Sequence, residues 1–196
     1  ARKVGDNVGL VPPAELDPLT LQFARNNHPD YPLAPHKPEV EKSAALSMKV
    51  APGKGTIATR KVAFLIANGV SGTSVDSMKA ALEKEGAEAV MIADRVGTVT
   101  TEEGEAIVPK GSLLTEASVC YDAIYTPAGG SVDILAGNAD YYQFIEEAYR
   151  HCKALAFAAG AEKLLDNSRI KTDRGVILAS TGQKENDFIE IIKEHR

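Results

Sequence analysis

Residues 60–93, RKVAFLIANGVSGTSVDSMKAALEKEGAEAVMIA, decide the fold. The run VAFLIA at 62–67 has no polar interruption, which is the composition of a strand buried on both faces of a sheet. A hydroxyl-rich link follows. Val75, Met78, Ala81 and Leu82 then recur at helical spacing, so one face of a helix is apolar. Thr73 and Asp76 suit a capping box at the start of that helix, and Gly86 suits its stop. A second strand-like run, AVMIA, occupies 89–93. Strand, helix and strand in that order make a parallel pair with the helix on one face.

The same alternation continues downstream. DAIYT (122–126), ALAFAA (154–159) and GVILAS (175–180) have the length and continuity of further buried strands, making about five central strands in all. Tyr141, Ile145, Ala148 and Cys152 mark a second amphipathic helix, and Phe188, Ile189, Ile191 and Ile192 a third. Between 95 and 112, Gly97, Gly104 and Gly111 separate the short β-prone pieces TVT and AIV, which read as a hairpin inserted between the second and third core strands. The predicted fold is α/β: a doubly wound parallel sheet with flanking helices.

Upstream of residue 60 the composition changes. Eight of the ten prolines lie there, and a run such as HPDYPLAPHKPEV (28–40) must be extended, because proline removes a backbone donor and biases its predecessor away from helix. We therefore expect an extended proline-rich arm over 1–60 and a folded domain over 61–196. Short helical fragments are expected at 17–25, where Leu19 and Phe23 share a face, and at 2–8. PGKGT at 52–56 lacks the first glycine of a phosphate-binding loop and precedes a strand instead of following one, so it is a loop.

Of the 196 residues 44% are hydrophobic and 25% charged, the balance of a chain that folds, and the formal net charge is −5. No basic stripe with interleaved aromatics points to nucleic acid, and no apolar run approaches the length that spans a bilayer. A cytoplasmic protein with neither nucleic-acid nor membrane partners is expected. Cys120 and Cys152 fit neither zinc nor redox spacing and are expected to be two buried thiols. His28, His36, His151 and His195 are scattered, which suits solvated or capping roles and no metal site. The first residue is Ala1, which suggests a piece of a longer protein.

In an open doubly wound sheet, ligands bind at the carboxyl ends of the strands. The turn Ser71-Gly72-Thr73-Ser74 opens the first helix. Flavodoxins hold the FMN phosphate at such a turn, so Ser71, Thr73 and Ser74 are candidate anion ligands; helix capping uses the same residues for the same physical reason and is the expected role. The helix 141–152 carries Tyr141, Tyr142, Phe144 and Tyr149 on more than one face, an aromatic surplus over what one sheet covers.

KVAFLIANGV, YDAIYTPAGG and KALAFAAGAEKLL resemble the PfpI-like branch of the class I glutamine amidotransferase-like superfamily, a flavodoxin-like fold. The resemblance implies a nucleophile elbow in the third stretch, where family members carry cysteine, histidine and glycine. Here the matching positions are read as Ala159 and Gly160, and the glutamate that contacts the cysteine is matched by Ser71. The catalytic pair is degenerate, and an enzyme is not expected from this chain alone. TRKVAFLIANGV, DRVGTVTTEEGEAI, NADYYQFIEEAYRHCKALAFAAGA and the closing EHR further resemble the C-terminal domain of large-subunit haem catalases, with VGDNVGLVPPAEL similar to the last turn of the haem core. That resemblance implies a tetrameric parent that dismutes hydrogen peroxide at haem, with no cofactor in this chain. Its expected partners are the catalase core, neighbouring subunits and, for an ATP-independent chaperone-like role, unfolded client proteins. The alternatives are flavin or anion binding at Ser71–Ser74 and a residual PfpI-type hydrolase or deglycase.

Overall fold

The computed structural model describes residues 43, 55–182 and 185–194. Most of the arm expected over 1–60, with its fragments at 2–8 and 17–25, lies outside the described residues. Every described residue but Ser43 belongs to the compact unit Ala44–Arg196.

Six strands form one sheet in the order β5-β2-β1-β6-β7-β8, every neighbouring pair parallel. They are β1 (Lys61–Ile66), β2 (Glu88–Ala93), β5 (Gly111–Ser112), β6 (Ala123–Thr126), β7 (Ala154–Phe157) and β8 (Val176–Leu178). The five expected strands are all present, though β7 and β8 stop two residues short of the apolar runs that mark them. The sixth, β5, pairs Gly111 and Ser112 with Ile92 and Ala93 at the sheet edge. Two residues carry no periodicity, so that strand is invisible in the sequence. The expected hairpin is β3 (Val99–Thr100) against β4 (Ala106–Ile107), antiparallel and outside the main sheet.

Helix α1 (Gly72–Lys84) is capped by Ser71, whose hydroxyl accepts from the Ser74 amide at 3.3 Å. The capping box expected at Thr73 and Asp76 is therefore displaced by two residues, and Thr73 sits exposed in the first turn. Gly86 ends the helix as expected, at φ +83, a left-handed conformation that a side chain disfavours. Helices α2 (Ser131–Ala136), α3 (Ala139–Arg150) and α4 (Glu185–Lys193) follow.

Alternate residues of β1 feed two cores. Val62, Phe64 and Ile66 pack with Val75, Met78 and Leu82 of α1 and with Phe188, Ile189, Ile191 and Ile192 of α4. Ala63, Leu65 and Ala67 pack with Val132 and Leu135 of α2 and with Tyr141, Phe144, Ile145 and Ala148 of α3. A two-residue period that buries both faces defines the middle layer of a three-layer sandwich. Among the described residues no helix is long and apolar enough to cross a membrane.

The cysteine expectation is corrected: Cys120 and Cys152 are both exposed and unpaired with each other. Helix α3 ends at Arg150 with His151 as its C-cap, so Cys152 falls outside the helix whose face it was expected to continue. It takes φ +56 and turns the chain into β7. Cys120 closes the 3-10 turn Ser118–Cys120 before β6.

Candidate functional site

The strand order changes direction between β1, which leads into α1 on one face, and β6, which leads into α2 on the other. A ligand crevice is expected at their carboxyl ends. Here the chain fills it. Val70 bridges Gly129, the Ser71 amide donates to Ala128 O at 2.9 Å, and the Ser131 amide donates to Gly69 O at 3.0 Å. Only glycine fits at 129: φ is +115, and a Cβ would lie 2.4 Å from the Ser71 nitrogen.

The β3–β4 hairpin lies over this junction. The Gly69 amide donates to Thr100 O at 2.8 Å, and the Glu102 amide donates to Val70 O at 2.9 Å. The hairpin turn then delivers two carboxylates to two helix starts. Glu103 Oε2 accepts from the Gly72 amide of α1 at 2.9 Å, and Glu102 Oε1 accepts from Gly130, the N-cap residue of α2, also at 2.9 Å. Helix N-termini attract anions, and here the anions are the protein's own. The Gly72 hydrogen bond holds the Glu103 carboxyl below its ordinary value.

Of the candidate hydroxyls, Ser71 is committed to its cap. Ser74 Oγ accepts from the Ala128 amide at 3.1 Å and shares a hydrogen bond of 2.8 Å with the Tyr125 hydroxyl. Burial raises the Tyr125 pKa, so the phenol stays protonated. The arrangement therefore uses Ser71 and Ser74 to tie α1 to β6. Sequence reading missed Glu102 and Glu103: acidic residues in a hairpin turn look solvated, and nothing local shows that they reach residues about thirty positions away.

Beside this junction, on the α1 and α4 side of β6, β7 and β8, lies a cavity of about 630 Å³. Ser71, Ala158 and Ala159 all line it. The structure thus brings together the two positions at which the family resemblance implies a catalytic pair. The turn after β7 has its one positive φ at Gly160, +86. If the glycine of the elbow that the resemblance implies is set there, the two residues ahead of it are Ala158 and Ala159, where the sequence expectation had Ala159 and Gly160. Ala158 is buried and Ala159 exposed. Neither can act as a nucleophile. The element that follows is a 3-10 helix, Glu162–Asn167. Glu162 folds back so that its Oε2 accepts from the Gly160 amide at 2.7 Å and its Oε1 from the Ser180 amide at 2.8 Å. Burial pushes the Glu162 carboxyl up, but amide hydrogen bonds, including those from Ser180 and Gly160, outweigh it and leave the pKa lowered.

Cys152 lies elsewhere, lining a hollow with Tyr149, Lys153 and Asp173 before β7, at the opposite end of the strands from the cavity. His151 is exposed; His28, His36 and His195 are outside the described residues. Of the aromatic surplus on α3, Tyr141 and Phe144 are buried while Tyr142 and Tyr149 are half-buried.

Residues 58–196 match the family described as the C-terminal domain found in long catalases. Catalase HPII of Pseudomonas aeruginosa is 37% identical over 128 residues, covering 65% of this chain and 18% of that protein. Catalase HPII of Pseudomonas putida is 31% identical over 159 residues, 81% of this chain and 22% of that protein. The chain thus spans about a fifth of the length of these relatives. Among solved structures, the ThiJ/PfpI domain protein from Brachyspira murdochii superposes with a TM-score of 0.58 at 11% identity, over 68% of this chain and 96% of that one. Drosophila melanogaster DJ-1beta gives 0.56 at 13% identity, over 68% and 87%. At such identities these two speak for the fold alone. The fold is the DJ-1/PfpI-like one, and the chain belongs to the family of C-terminal domains found in long catalases.

Proposed function

We propose that this chain is the non-catalytic C-terminal module of a cytoplasmic haem catalase whose parent reaction is the dismutation of hydrogen peroxide. It serves that parent by covering protein surface and holding the tetramer together. The observation that carries this reading is the exposure of four aliphatic side chains on the segment between β2 and β6: Val96 at 76%, Val108 at 80%, Leu114 at 76% and Val119 at 73%. Water-facing aliphatics on one segment of chain suit a protein partner that covers them. The partner is the catalase core or a neighbouring subunit. The same surface, beside a net charge of −5, also suits ATP-independent holding of unfolding proteins, because charge keeps such complexes dissolved.

The cavity does not fit a haem held by histidine, thiolate or tyrosinate. The cavity is lined by no histidine or cysteine, and its one tyrosine, Tyr125, is bound to Ser74 and kept protonated by burial, the reverse of a tyrosinate ligand. Haem belongs to the rest of the parent. Anion binding at Ser71–Ser74 is disfavoured because Glu103 and Ser71 already occupy the amides, and hydrolase or deglycase chemistry because alanines stand where the nucleophile would be.

The test replaces Val96, Val108, Leu114 and Val119 together by threonine in the full-length parent. Peroxide turnover per haem should stay at the parental rate while thermal inactivation and subunit dissociation accelerate. An unchanged inactivation half-life overturns the tetramer-holding role. Light scattering of a heat-labile enzyme mixed with this chain tests the holding role; suppression no greater than that by an equal mass of albumin ends it.

A further inference from the structure

The cavity beside α1 and α4 has a composition that the module reading does not use. At about 630 Å³ it falls in the size class of small-molecule sites, which pair a mostly apolar wall with a few placed polar groups. Met78, Tyr125, Ala156, Ala158 and Ile177 line it and belong to the core shared by α1 and α4.

Beside the hydroxyls of Ser71, Thr73, Ser74 and Ser77, the charge lining the cavity is of one sign. Glu185, in the first turn of α4, is the one charged residue lining the cavity, and no lysine, arginine or histidine among the described residues does so. Ser77 Oγ donates to Glu185 Oε1 at 2.9 Å, which holds the carboxylate at the cavity while engaging one of its two oxygens. The amides that would receive an anion at this end of the sheet are taken. Gly72 is bound by Glu103, Gly160 by Glu162 and Ala128 by Ser74 Oγ. An incoming anion would meet like charge and no available donor among these amides. A cation would meet a positioned carboxylate beside an apolar wall, so that charge pairing and apolar contact act on one ligand.

We propose that this cavity is a binding site for a small organic cation: an ammonium or similar head pairs with Glu185, and an apolar body about the size of one aromatic ring lies against Met78, Ile177 and Tyr125. The proposal is independent of the tetramer-holding role and survives its failure.

Three probes that share a ring and differ in charge test it by calorimetric titration of the chain at low salt: benzylamine, benzyl alcohol and phenylacetate. Benzylamine should bind about ten-fold more tightly than benzyl alcohol, equivalent to ~1.4 kcal/mol, with phenylacetate weakest. Glu185→Gln should reduce benzylamine to the level of the alcohol while leaving the alcohol unchanged, and Ser77→Ala should weaken benzylamine alone. Ala159→Phe, at an exposed position on the lining, should block all three probes while the circular dichroism stays native. Added salt should weaken benzylamine only. Equal affinities for the three probes, preference for phenylacetate, insensitivity of benzylamine to Glu185→Gln in a folded variant, or absence of benzylamine binding at millimolar concentration each overturns the proposal.

Discussion

A cysteine introduced at the turn after β7 should be an ordinary thiol, and the structure says why. An activated elbow thiol with a pKa of ~5.5 would be about 97% thiolate at pH 7, whereas an unperturbed one with a pKa of ~8.5 is about 3%, a difference of roughly 30-fold in reactive species. Three features here remove the activation. Among the described non-glycine residues only Thr59 and Cys152 have positive φ, so neither Ala158 nor Ala159 carries the strained backbone of a nucleophile. The turn leads into a six-residue 3-10 helix, a weaker dipole than a long α-helix. The Gly160 amide already serves the Glu162 carboxylate, which stays charged and opposes a neighbouring thiolate. In a background of Cys120→Ser and Cys152→Ser, Ala159→Cys should alkylate with iodoacetamide along a pH profile whose midpoint is at or above ~8.5. Ala158→Cys, at a position only 7% exposed, should titrate higher still because burial disfavours the thiolate. Adding Glu162→Gln to Ala159→Cys should move its midpoint down. A midpoint below ~7 for either single variant would refute the reasoning and restore a case for latent PfpI-type chemistry.

Gly129→Ala should cost about 3 kcal/mol or more, since its Cβ would sit 2.4 Å from one backbone nitrogen and 2.6 Å from the Gly69 carbonyl oxygen; a urea midpoint within error of the parent would mean the junction is soft. Thr126 Oγ1 and the Tyr141 hydroxyl form a fully buried pair at 2.9 Å, so Tyr141→Phe and Thr126→Val should each cost ~1–2 kcal/mol, and the double variant markedly less than their sum. Additive losses in that cycle would show the pair to be energetically silent. Burial raises the pKa of Tyr121, Tyr125 and Tyr141 alike, so the folded state keeps protons that the unfolded chain releases above pH ~10. Their contribution is fully present below that pH and is lost as pH climbs towards the folded values. Urea midpoints should therefore fall between pH 9 and 11, roughly the range flanking the unperturbed tyrosine pKa, and a flat profile there would contradict the burial of these hydroxyls.

What the sequence by itself determined is five strands of the middle layer and one face of α1, α3 and α4. Uninterrupted runs such as VAFLIA and the spacing of Val75, Met78 and Leu82 encode burial through periods of two and 3.6, which are local properties of the chain. That the turn after β7 carries alanines at 158 and 159 was legible too, because the chemistry of a side chain is the same in any fold. Tertiary structure decided the rest. Edge strand β5 exists only because β2 offers Gly111 and Ser112 a partner. Cys152 is exposed because α3 ends two residues earlier than its apolar spacing suggests. Above all, Glu102 and Glu103 cap two helices about thirty residues away, and Glu185 reaches a cavity wall built largely from β6, β7 and α1. A carboxylate's role depends on which amides and hydroxyls the folded chain carries to it, and those distances are set by packing between elements, which no local pattern encodes.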